Sequence, residues 1–250
     1  MRTIAIINQK GGVGKTTTAI NLSHAMALKG NKVTAIDMDP QNHLTVSMGE
    51  ENHPQSGIDE ILLGESSFSE KLIRSRENLH IVPAGNRLSE VERDIRGLKG
   101  GYLLDAKVKK LKSQDFVFID CPPSAAVLSM NAILASKEII VPVSSDFLAL
   151  HGLSQLMVTL KHIKERLKHE MKIWVVLTRF HGRRRLAREV QEKLKNYFPN
   201  SVLATPIREA VALAESPSYG RTIFEHDENG NGANDYRSLA EDLLTARTLS

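Results

Sequence analysis

The chain has a single cysteine, Cys121, and aromatic residues make up only 5% of its 250 positions. One thiol excludes an intramolecular disulfide framework, and it excludes any zinc or iron–sulfur site that takes several thiolates from one chain. No apolar run approaches the roughly 20 residues that a membrane-spanning helix needs. Met1 and Arg2 lead directly into an apolar strand pattern without the features of a signal peptide. We therefore expect a soluble cytoplasmic protein.

Positive charge is concentrated in one part of the chain, although the net charge is only +4. Between Lys161 and Lys195 there are twelve lysines and arginines against four glutamates. A concentration of this kind favours a polyanion as partner. The alternative is a solvated basic face that only keeps the protein soluble.

Apolar segments rich in β-branched residues alternate with helical patterns along the chain. Most are nearly continuous apolar runs, which is typical of strands covered on both faces of a parallel sheet. The predicted strands are residues 3–8, 32–37, 79–83, 116–120, 138–143, 172–178 and 201–207. The predicted helices are residues 15–29, 58–63, 124–135, 151–167, 183–198 and 234–247, with 225–234 as a surface loop. The alternation predicts an α/β fold: one domain over residues 1–250, with a doubly wound, mostly parallel sheet flanked by helices on both faces.

A glycine-rich loop, QKGGVGKTT, follows the first predicted strand and opens the first predicted helix. Its glycines let backbone N–H groups turn inward around a phosphate chain, and the helix N-terminus adds partial positive charge. Lys15 is placed to reach the β- and γ-phosphates, and the Thr16 hydroxyl to complete a Mg²⁺ shell. Gln9 stands where the standard pattern has glycine, and Lys10 is an additional lysine. The predicted nucleotide-binding residues here are Lys10, Gly11, Gly12, Val13, Gly14, Lys15, Thr16 and Thr17.

Three aspartates follow predicted strands near this loop. Asp120 ends an apolar strand, where a carboxylate can hold a magnesium-bound water. Asp37 and Asp39 follow the second strand two residues apart, so their side chains share one face of an extended segment. The alternatives are a helix cap for Asp120 and a turn residue for Asp39.

The segment KGGVGKTT resembles the deviant Walker A motif of the ParA/MinD family of ATPases. The similarity continues through DMDPQ at residues 37–41 and FIDCPPS at residues 118–124. The sequences VPVSSDFLALHGLSQL (141–156) and LAESPSYG (213–220) are similar to the partition-protein branch, which includes ParA and Soj. The resemblance spans essentially the whole chain and has five motifs in the family's order.

This resemblance implies a P-loop NTPase fold with ATP and Mg²⁺ as cofactors. It implies that the residue matching Asp39 helps to place the attacking water, and that Asp37 lies near the metal. It also implies that Lys10 reaches across a homodimer interface to the partner's phosphates. The expected catalytic residues are therefore Lys10, Lys15 and Asp39, and the expected metal-binding residues are Thr16, Asp37 and Asp120.

The base-binding end of the site falls on loops after late strands in this fold. Thr178, Arg179 and residues 206–209 are the candidates, and we predict nucleotide contacts for Pro206 and Arg208. Many relatives have Pro-Arg-Asn near the second segment, whereas this chain reads Pro-Ile-Arg-Glu. ATP is favoured over GTP only through the family.

An arginine cluster lies at the start of the predicted helix 183–198. Cations at a helix N-terminus oppose the macrodipole, so the cluster is not explained by helix stability. Binding to a nucleic-acid phosphate backbone would explain it, because each contact between an arginine and a phosphate releases a counterion and so favours binding. No aromatic residues interleave with the arginines, which disfavours base stacking on single strands. We expect duplex DNA binding without sequence preference, through Arg183, Arg184, Arg185, Arg188 and Arg208.

The expected function is that of an ATP-dependent homodimer that binds DNA non-specifically in its ATP state. The resemblance implies a weak ATPase that DNA and a ParB-like activator stimulate, nucleoid association, and partition of a chromosome, a plasmid or another cargo. The alternative is a MinD-like or cargo-positioning ATPase that acts on a protein assembly. Acidic residues on the last predicted helix disfavour a membrane anchor there. An iron–sulfur reductase would need more cysteines, and a nucleotide-sensing module without useful turnover stays open.

Overall fold

A seven-stranded sheet forms the centre of the protein in a computed structural model that describes residues 1–50, 55–94, 100–124 and 127–249. The strands are β1 (Arg2–Ile6), β2 (Val33–Asp37), β3 (Ile73–Arg76), β4 (Leu79–Val82), β5 (Phe116–Asp120), β6 (Glu138–Ser144) and β7 (Lys172–Thr178). Their order across the sheet is β3-β4-β2-β5-β1-β6-β7. Every neighbouring pair is parallel except β3 and β4.

Helices cover both faces of this sheet. In the described residues they are α1 (Lys15–Leu28), α2 (His43–Ser47), α3 (Ile58–Leu63), α4 (Phe68–Lys71), α5 (Leu88–Asp94), α6 (Leu103–Val108), α7 (Val127–Ala135), α8 (Phe147–Leu167), α9 (Arg185–Tyr197), α10 (Val211–Glu215), α11 (Ile223–His226) and α12 (Asn231–Thr245). A 3₁₀ helix lies between α10 and α11 at Ser216–Tyr219.

The apolar strand runs are explained by two cores, one on each side of the sheet. Ile4 and Ile6 of β1 belong to the core under α1 and α12. Ala5 and the adjacent Ile7 belong to the core under α7 and α8. Full burial of an aliphatic side chain contributes roughly 1.5–3 kcal/mol, so both faces must be apolar. The predicted doubly wound, mostly parallel sheet with helices on both faces is confirmed.

The strand predicted for residues 201–207 is wrong. Only isolated bridges occur there, between Val175 and Val202 and between Leu203 and Thr248. After Leu203, two aspartates of α12 accept hydrogen bonds from backbone N–H groups. The N–H of Thr205 donates to Asp242 at 2.7 Å, and the N–H of Arg208 donates to Asp235 at 2.9 Å. Bonds to these carboxylates replace part of a ladder, and a proline at 206 has no N–H to donate to one.

Several element boundaries also differ from prediction. The antiparallel strand β3 was not predicted, and neither were α2, α4, α5, α6 and α10. Helix α8 begins at Phe147 rather than at 151, and α9 begins at Arg185 rather than at 183. Helix α12 begins at Asn231, so part of the predicted loop 225–234 is helical, and α11 overlaps its start. Residues 125–126 of the predicted helix 124–135 lie outside the described residues.

The sheet brings the predicted functional segments to one edge. The glycine-rich loop follows β1, Asp37 ends β2, Asp120 ends β5, and Thr178 ends β7. The carboxyl ends of parallel strands meet at the same edge, and ligands of open α/β sheets bind in the crevice outside it, where the strand order reverses. β1 lies at this reversal: β2, β3, β4 and β5 are on one side of it, and β6 and β7 are on the other.

Candidate active site

The glycine-rich loop is shaped for an anion. Gly12 and Gly14 have φ values of +71° and +85°, in the left-handed region that favours glycine. Gly14 is the N-cap of α1 and brings no side chain to the first turn, so the leading N–H groups of the helix have no side-chain cap from it. A Cβ atom added at Gly11 or Gly12 would meet no atom within 4 Å. The loop therefore faces open space with the positive end of a helix behind it.

Lys15 is held inside this loop. It is 8% exposed, and its Nζ donates to the backbone carbonyl of Lys10 at 3.3 Å. Burial lowers the pKa of Lys15, and the negative charges of Asp120 and Asp39 act in the opposite direction. A partly desolvated ammonium is thus placed between the loop and two carboxylates.

Thr16 and Asp120 are in direct contact across 104 positions of sequence. The Thr16 hydroxyl donates to Asp120 Oδ2 at 2.7 Å. The other oxygen, Asp120 Oδ1, is buried and has no hydrogen-bond partner. Burial raises the pKa of Asp120 well above its usual value, and the nearby Asp37 carboxylate adds to the rise. A divalent cation or one of its waters would relieve both effects.

A magnesium site at this place would not be an all-protein cage. In the described part of the chain, no group of three or more His, Cys, Asp or Glu residues could hold a metal ion. Mg²⁺ usually takes one or two protein oxygens together with phosphates and waters. The hydroxyl of Thr16 and the unpartnered oxygen of Asp120 fit that pattern.

Asp37 has a different geometry from the metal role predicted for it. Its Oδ1 accepts from the Asp39 N–H at 3.1 Å, and its Oδ2 accepts from the Thr45 N–H and hydroxyl at 2.9 and 2.7 Å. Burial raises the pKa of Asp37 to about 6, and these hydrogen bonds limit the rise. Asp37 pairs in register with Asp120, but its carboxylate anchors α2 to the sheet. Its metal role stays a prediction.

Asp39 lies on the wall of the cleft above the loop. It is 6% exposed, and its Oδ1 accepts from the Gln41 N–H at 3.0 Å. The cleft has an empty volume of about 930 Å³. It is lined by Gly11, Gly12, Gly14, Lys15, Thr16, Thr17, Ile20, Asp39, Gln41, His43, Ser47, Pro123 and Pro217. Loop, lysine and carboxylate therefore share one space, as the sequence predicts.

Lys10 points to a carboxylate of its own chain. Its Nζ contacts Asp146 Oδ1 at 2.6 Å, and Asp146 Oδ2 accepts from the Ser144 hydroxyl at 2.6 Å. The Lys10 side chain is 31% exposed, so its end lies near solvent. This ion pair was not predicted.

A second cleft of about 1120 Å³ adjoins the first and shares Gly12, Gly14 and Thr17 with it. Thr178, Arg179 and Arg208 line it as predicted, whereas Pro206 is not among its described lining residues. The remaining lining residues come from the segment 207–214 and from α12: Ile207, Glu209, Ala210, Val211, Leu213, Ala214 and Tyr236. No spacing rule in the sequence indicated α10 or Tyr236.

Arg208 is tied to α12. Its Nη2 contacts Asp235 Oδ1 at 2.6 Å and its Nε contacts Asp235 Oδ2 at 3.0 Å. These hydrogen bonds raise the pKa of Arg208. Because Asp235 already neutralises this charge, the geometry favours a role at the cleft over the DNA contact also predicted for Arg208.

The chain is similar to known proteins along nearly its whole length. A family model described as an AAA domain matches residues 1–173. The chromosome-partitioning ATPase Soj of Thermus thermophilus is 35% identical over 98% of this chain and 96% of that protein. The sporulation initiation inhibitor protein Soj of Bacillus subtilis is 36% identical over 96% of this chain and 97% of that protein. The chain belongs to the ParA/Soj family of P-loop ATPases.

A solved structure shares the ParA/Soj-like fold of this chain. It is that of cobyrinic acid a,c-diamide synthase from Mycobacterium smegmatis, with a bound ATP analog and magnesium. The TM-score is 0.86, the identity is 29%, and the match covers 100% of each chain. The predicted P-loop NTPase fold is confirmed by this likeness.

The basic cluster of this ParA/Soj-family chain consists of Arg183, Arg184, Arg185 and Arg188, and all four are exposed. Arg184 is the N-cap of α9, and the first turn has no acidic residue. Arg185 pairs with Glu189 at 2.7 Å, and Arg188 donates to the Gly182 carbonyl at 3.0 Å. The four arginines are grouped at the start of α9 as predicted, and none of them is among the described lining residues of the two clefts.

The last helix directs its apolar side inward. Tyr236, Leu239 and Leu243 of α12 are each at most 1% exposed and pack on the core above α1. That stripe is therefore used for folding. No helix in the described part of the chain combines the length and apolar character that crossing a bilayer requires.

Proposed function

We propose that this protein binds ATP with Mg²⁺, hydrolyses it slowly, and uses the cycle to partition a DNA cargo. The observation that carries the proposal is the Thr16–Asp120 contact with its unpartnered carboxylate oxygen, set beside Lys15 and an uncapped helix N-terminus. A positive cradle and a cation-seeking oxygen lie side by side, which suits a phosphate chain with its metal.

Each residue of the cleft then has a role. Backbone N–H groups from Lys10 to Thr17 and the Lys15 ammonium bind the phosphates, with Val13 packed beneath the loop at 1% exposure. Magnesium supplies neutralisation of phosphate charge, and Thr16 and Asp120 hold it. Asp39, on the cleft wall, orients the attacking water. The second cleft takes the base, with Thr178 and Arg208 on its wall and Pro206 close in sequence.

Dimerisation is part of the proposal and depends on Lys10. In one chain Lys10 contacts Asp146, and its partly exposed end can exchange that carboxylate for phosphate oxygens. In an ATP-bound homodimer Lys10 contacts the partner's phosphates, in the manner of an arginine finger. Hydrolysis removes that contact and loosens the dimer. We further propose that residues 1–250 act as one ATPase domain.

Non-specific binding to duplex DNA is assigned to the basic cluster. A chain of contacts connects it to the nucleotide clefts: Glu209 lies 3.6 Å from Arg179 and 4.0 Å from Arg184. Arg179 in turn donates to the Gly12 carbonyl at 3.4 Å. A nucleotide that moves Arg179 or Glu209 changes the surroundings of Arg184, which supports DNA binding gated by ATP and nucleoid association.

A ParB-like activator would stimulate the weak hydrolysis, and the cargo would be a chromosome, a plasmid or another assembly. The chromosome-partitioning role of the Thermus thermophilus relative supports this part. The alternative is a cargo-positioning ATPase whose basic cluster binds an acidic protein.

The test is binding to a random-sequence DNA duplex with ATP–Mg²⁺, with ADP–Mg²⁺ and without nucleotide, at two salt concentrations. We expect tight, salt-sensitive binding only with ATP. Lys15→Ala should abolish nucleotide binding, and Asp39→Ala should leave a DNA-bound protein that hydrolyses slowly. Normal turnover by Asp39→Ala would remove the water-positioning role.

A charge-matched pair of variants tests the basic cluster. Reversal of Arg183, Arg184 and Arg185 to Glu should weaken DNA binding at least tenfold for every sequence and flatten the salt dependence by about three counterions. The control is reversal of Lys109, Lys110 and Lys112, which are exposed on another part of the surface. Equal losses in both triple variants would place the DNA surface elsewhere. No DNA binding in any state would favour the cargo-positioning alternative.

A further inference from the structure

Arg76, on the edge strand β3, makes an unusually complete set of hydrogen bonds. Its Nε and Nη2 contact the two oxygens of Glu225 at 3.0 Å each. Its Nη1 donates to the Met48 carbonyl at 2.8 Å and its Nη2 to the Gly220 carbonyl at 2.9 Å. The Ser75 hydroxyl takes the remaining Nη1 hydrogen. All five guanidinium hydrogens are therefore used, and the side chain is 15% exposed.

The two carbonyls belong to segments that line the first cleft, the phosphate cleft, which contains Lys15 and Asp39. Met48 is the C-cap of α2, and His43 and Ser47 of α2 line the cleft. Gly220 is the C-cap of the 3₁₀ helix, and Pro217 of that helix lines the same cleft. One planar group donates to both ends, so it fixes the distance between the two wall segments.

The first of these segments leads back to Asp39. Helix α2 is fixed to the sheet by the bonds from Thr45 to Asp37. Beyond Thr45, the helix ends at the carbonyl that Arg76 holds. The turn that carries Asp39 lies just before this helix, so α2 is the element that supports it on its C-terminal side.

The second segment leads to the other cleft. Helix α10 immediately precedes the 3₁₀ helix, and Leu213 and Ala214 of α10 line the second cleft. Glu225 also accepts from the Thr222 N–H at 2.8 Å, which caps α11 on the far side of Gly220. Residues 211–222 therefore contact both clefts.

We propose that Arg76 is a positioning residue for ATP hydrolysis. Its hydrogen bonds connect α2, which supports the turn that carries Asp39, to residues 211–222, which line the cleft proposed for the base. Arg76 is not among the described lining residues of either cleft, so it acts only through these two segments. The inference rests on the proposed ATPase function. A positioning error of about 1 Å at a reacting group costs up to about a hundredfold in rate, so loss of the tie should show mainly in kcat.

The test compares Arg76→Ala and Arg76→Lys with Arg74→Ala, an exposed arginine on the same strand. Initial rates give kcat and KM for ATP–Mg²⁺, and a fluorescent ATP analogue gives the nucleotide Kd. We expect Arg76→Ala to lower kcat about 10- to 100-fold with less than about a threefold change in Kd. Lysine should restore part of kcat, because an ammonium can donate to the carbonyls but cannot form the fork to Glu225. Arg74→Ala should match wild type.

Two controls distinguish a change in catalysis from a loss of folded protein. All rates are normalised to the folded fraction measured by urea denaturation under the assay conditions, and Glu225→Gln serves as a milder variant that weakens the same tie. It should lower kcat in the same direction as Arg76→Ala but by less.

The outcomes separate the two proposals. A wild-type protein that does not hydrolyse ATP overturns the proposed function and this role with it. Wild-type hydrolysis with unchanged normalised kcat in Arg76→Ala overturns the role of Arg76 alone. A rise in KM with unchanged kcat also overturns it, because Arg76 would then contribute only to nucleotide binding.

Discussion

The backbone of Gly220, whose carbonyl accepts a hydrogen bond from Arg76, packs against the backbone of Gly49, and replacing Gly220 by alanine should disrupt this contact. A Cβ atom at Gly220 would lie 2.7 Å from the Gly49 Cα and 3.2 Å from its N. Both atoms are backbone, so neither can move aside without shifting the loop. Gly220 also has a φ of +62°, where a side chain is strained.

The size of the effect can be separated with a matched variant. Gly30 follows α1 with a φ of +85°, but a Cβ atom there would meet nothing within 4 Å. Gly30→Ala should therefore cost only the left-handed strain, about 1–2 kcal/mol. Gly220→Ala should cost that strain plus a packing conflict of about 1–3 kcal/mol, or about 2–5 kcal/mol in all.

Urea denaturation followed by circular dichroism gives both free energies of unfolding. We expect equal m-values and a larger midpoint shift for Gly220→Ala than for Gly30→Ala. If the two variants lose the same free energy within about 0.5 kcal/mol, the contact between Gly220 and Gly49 has no energetic consequence. The reasoning from close backbone approach would then be refuted.

Three further predictions concern single side chains. Asp120→Asn should raise the Mg²⁺ concentration needed for half-maximal ATP hydrolysis about tenfold or more, and an unchanged Mg²⁺ titration would contradict the role of the unpartnered oxygen. Asp146→Ala should free Lys10 and lower the protein concentration needed for ATP-dependent dimerisation up to about fivefold by light scattering, the range of a partly exposed ion pair; a higher requirement would contradict it. Burial lowers the pKa of His24, so below about pH 6.5 the unfolded chain binds a proton that the folded protein does not, and the contribution of His24 to stability falls on acidification. His24→Gln should lose less stability than wild type between about pH 7 and pH 5.5 in urea denaturation, and a parallel loss would mean that His24 is not the group responsible.

The sheet and the loop could be predicted because their signals are local. Continuous apolar runs report strands buried on both faces, and glycines before a lysine report a turn that opens a helix. The sequence also places Thr16 and Asp120 at one edge of the sheet, because both lie at the carboxyl ends of predicted parallel strands. Their direct contact depends on β1 and β5 being neighbours, which only the structure shows. Once the strand type is known, no further information is needed to place their ends at one edge.

The contacts that modify the site could not be predicted, because each depends on residues far apart in the chain. Lys10 and Asp146 are 136 positions apart, and Arg76 and Glu225 are 149 apart. The wrong strand at 201–207 has the same origin. Its apolar residues match a strand pattern, but the carboxylates of α12 take part of the backbone hydrogen bonding that a ladder would need. Local strand propensity does not depend on groups that are distant in sequence, so it could not predict that the carboxylates of α12 accept these hydrogen bonds.

Buried aspartates illustrate how chemistry can be separated from architecture in this protein. Asp37 and Asp59 use their oxygens on backbone N–H groups of nearby turns, and Asp235 and Asp242 do so on a segment far away in sequence. Asp120 is the one aspartate in the described residues with a buried oxygen that has no partner. An unpartnered buried oxygen is costly, and so is the uncapped helix N-terminus next to it. The oxygen favours a cation and the helix N-terminus favours an anion, so one metal–phosphate pair would satisfy both. Among the buried aspartates, the unfilled oxygen therefore separates the proposed metal-binding carboxylate from the others better than burial does.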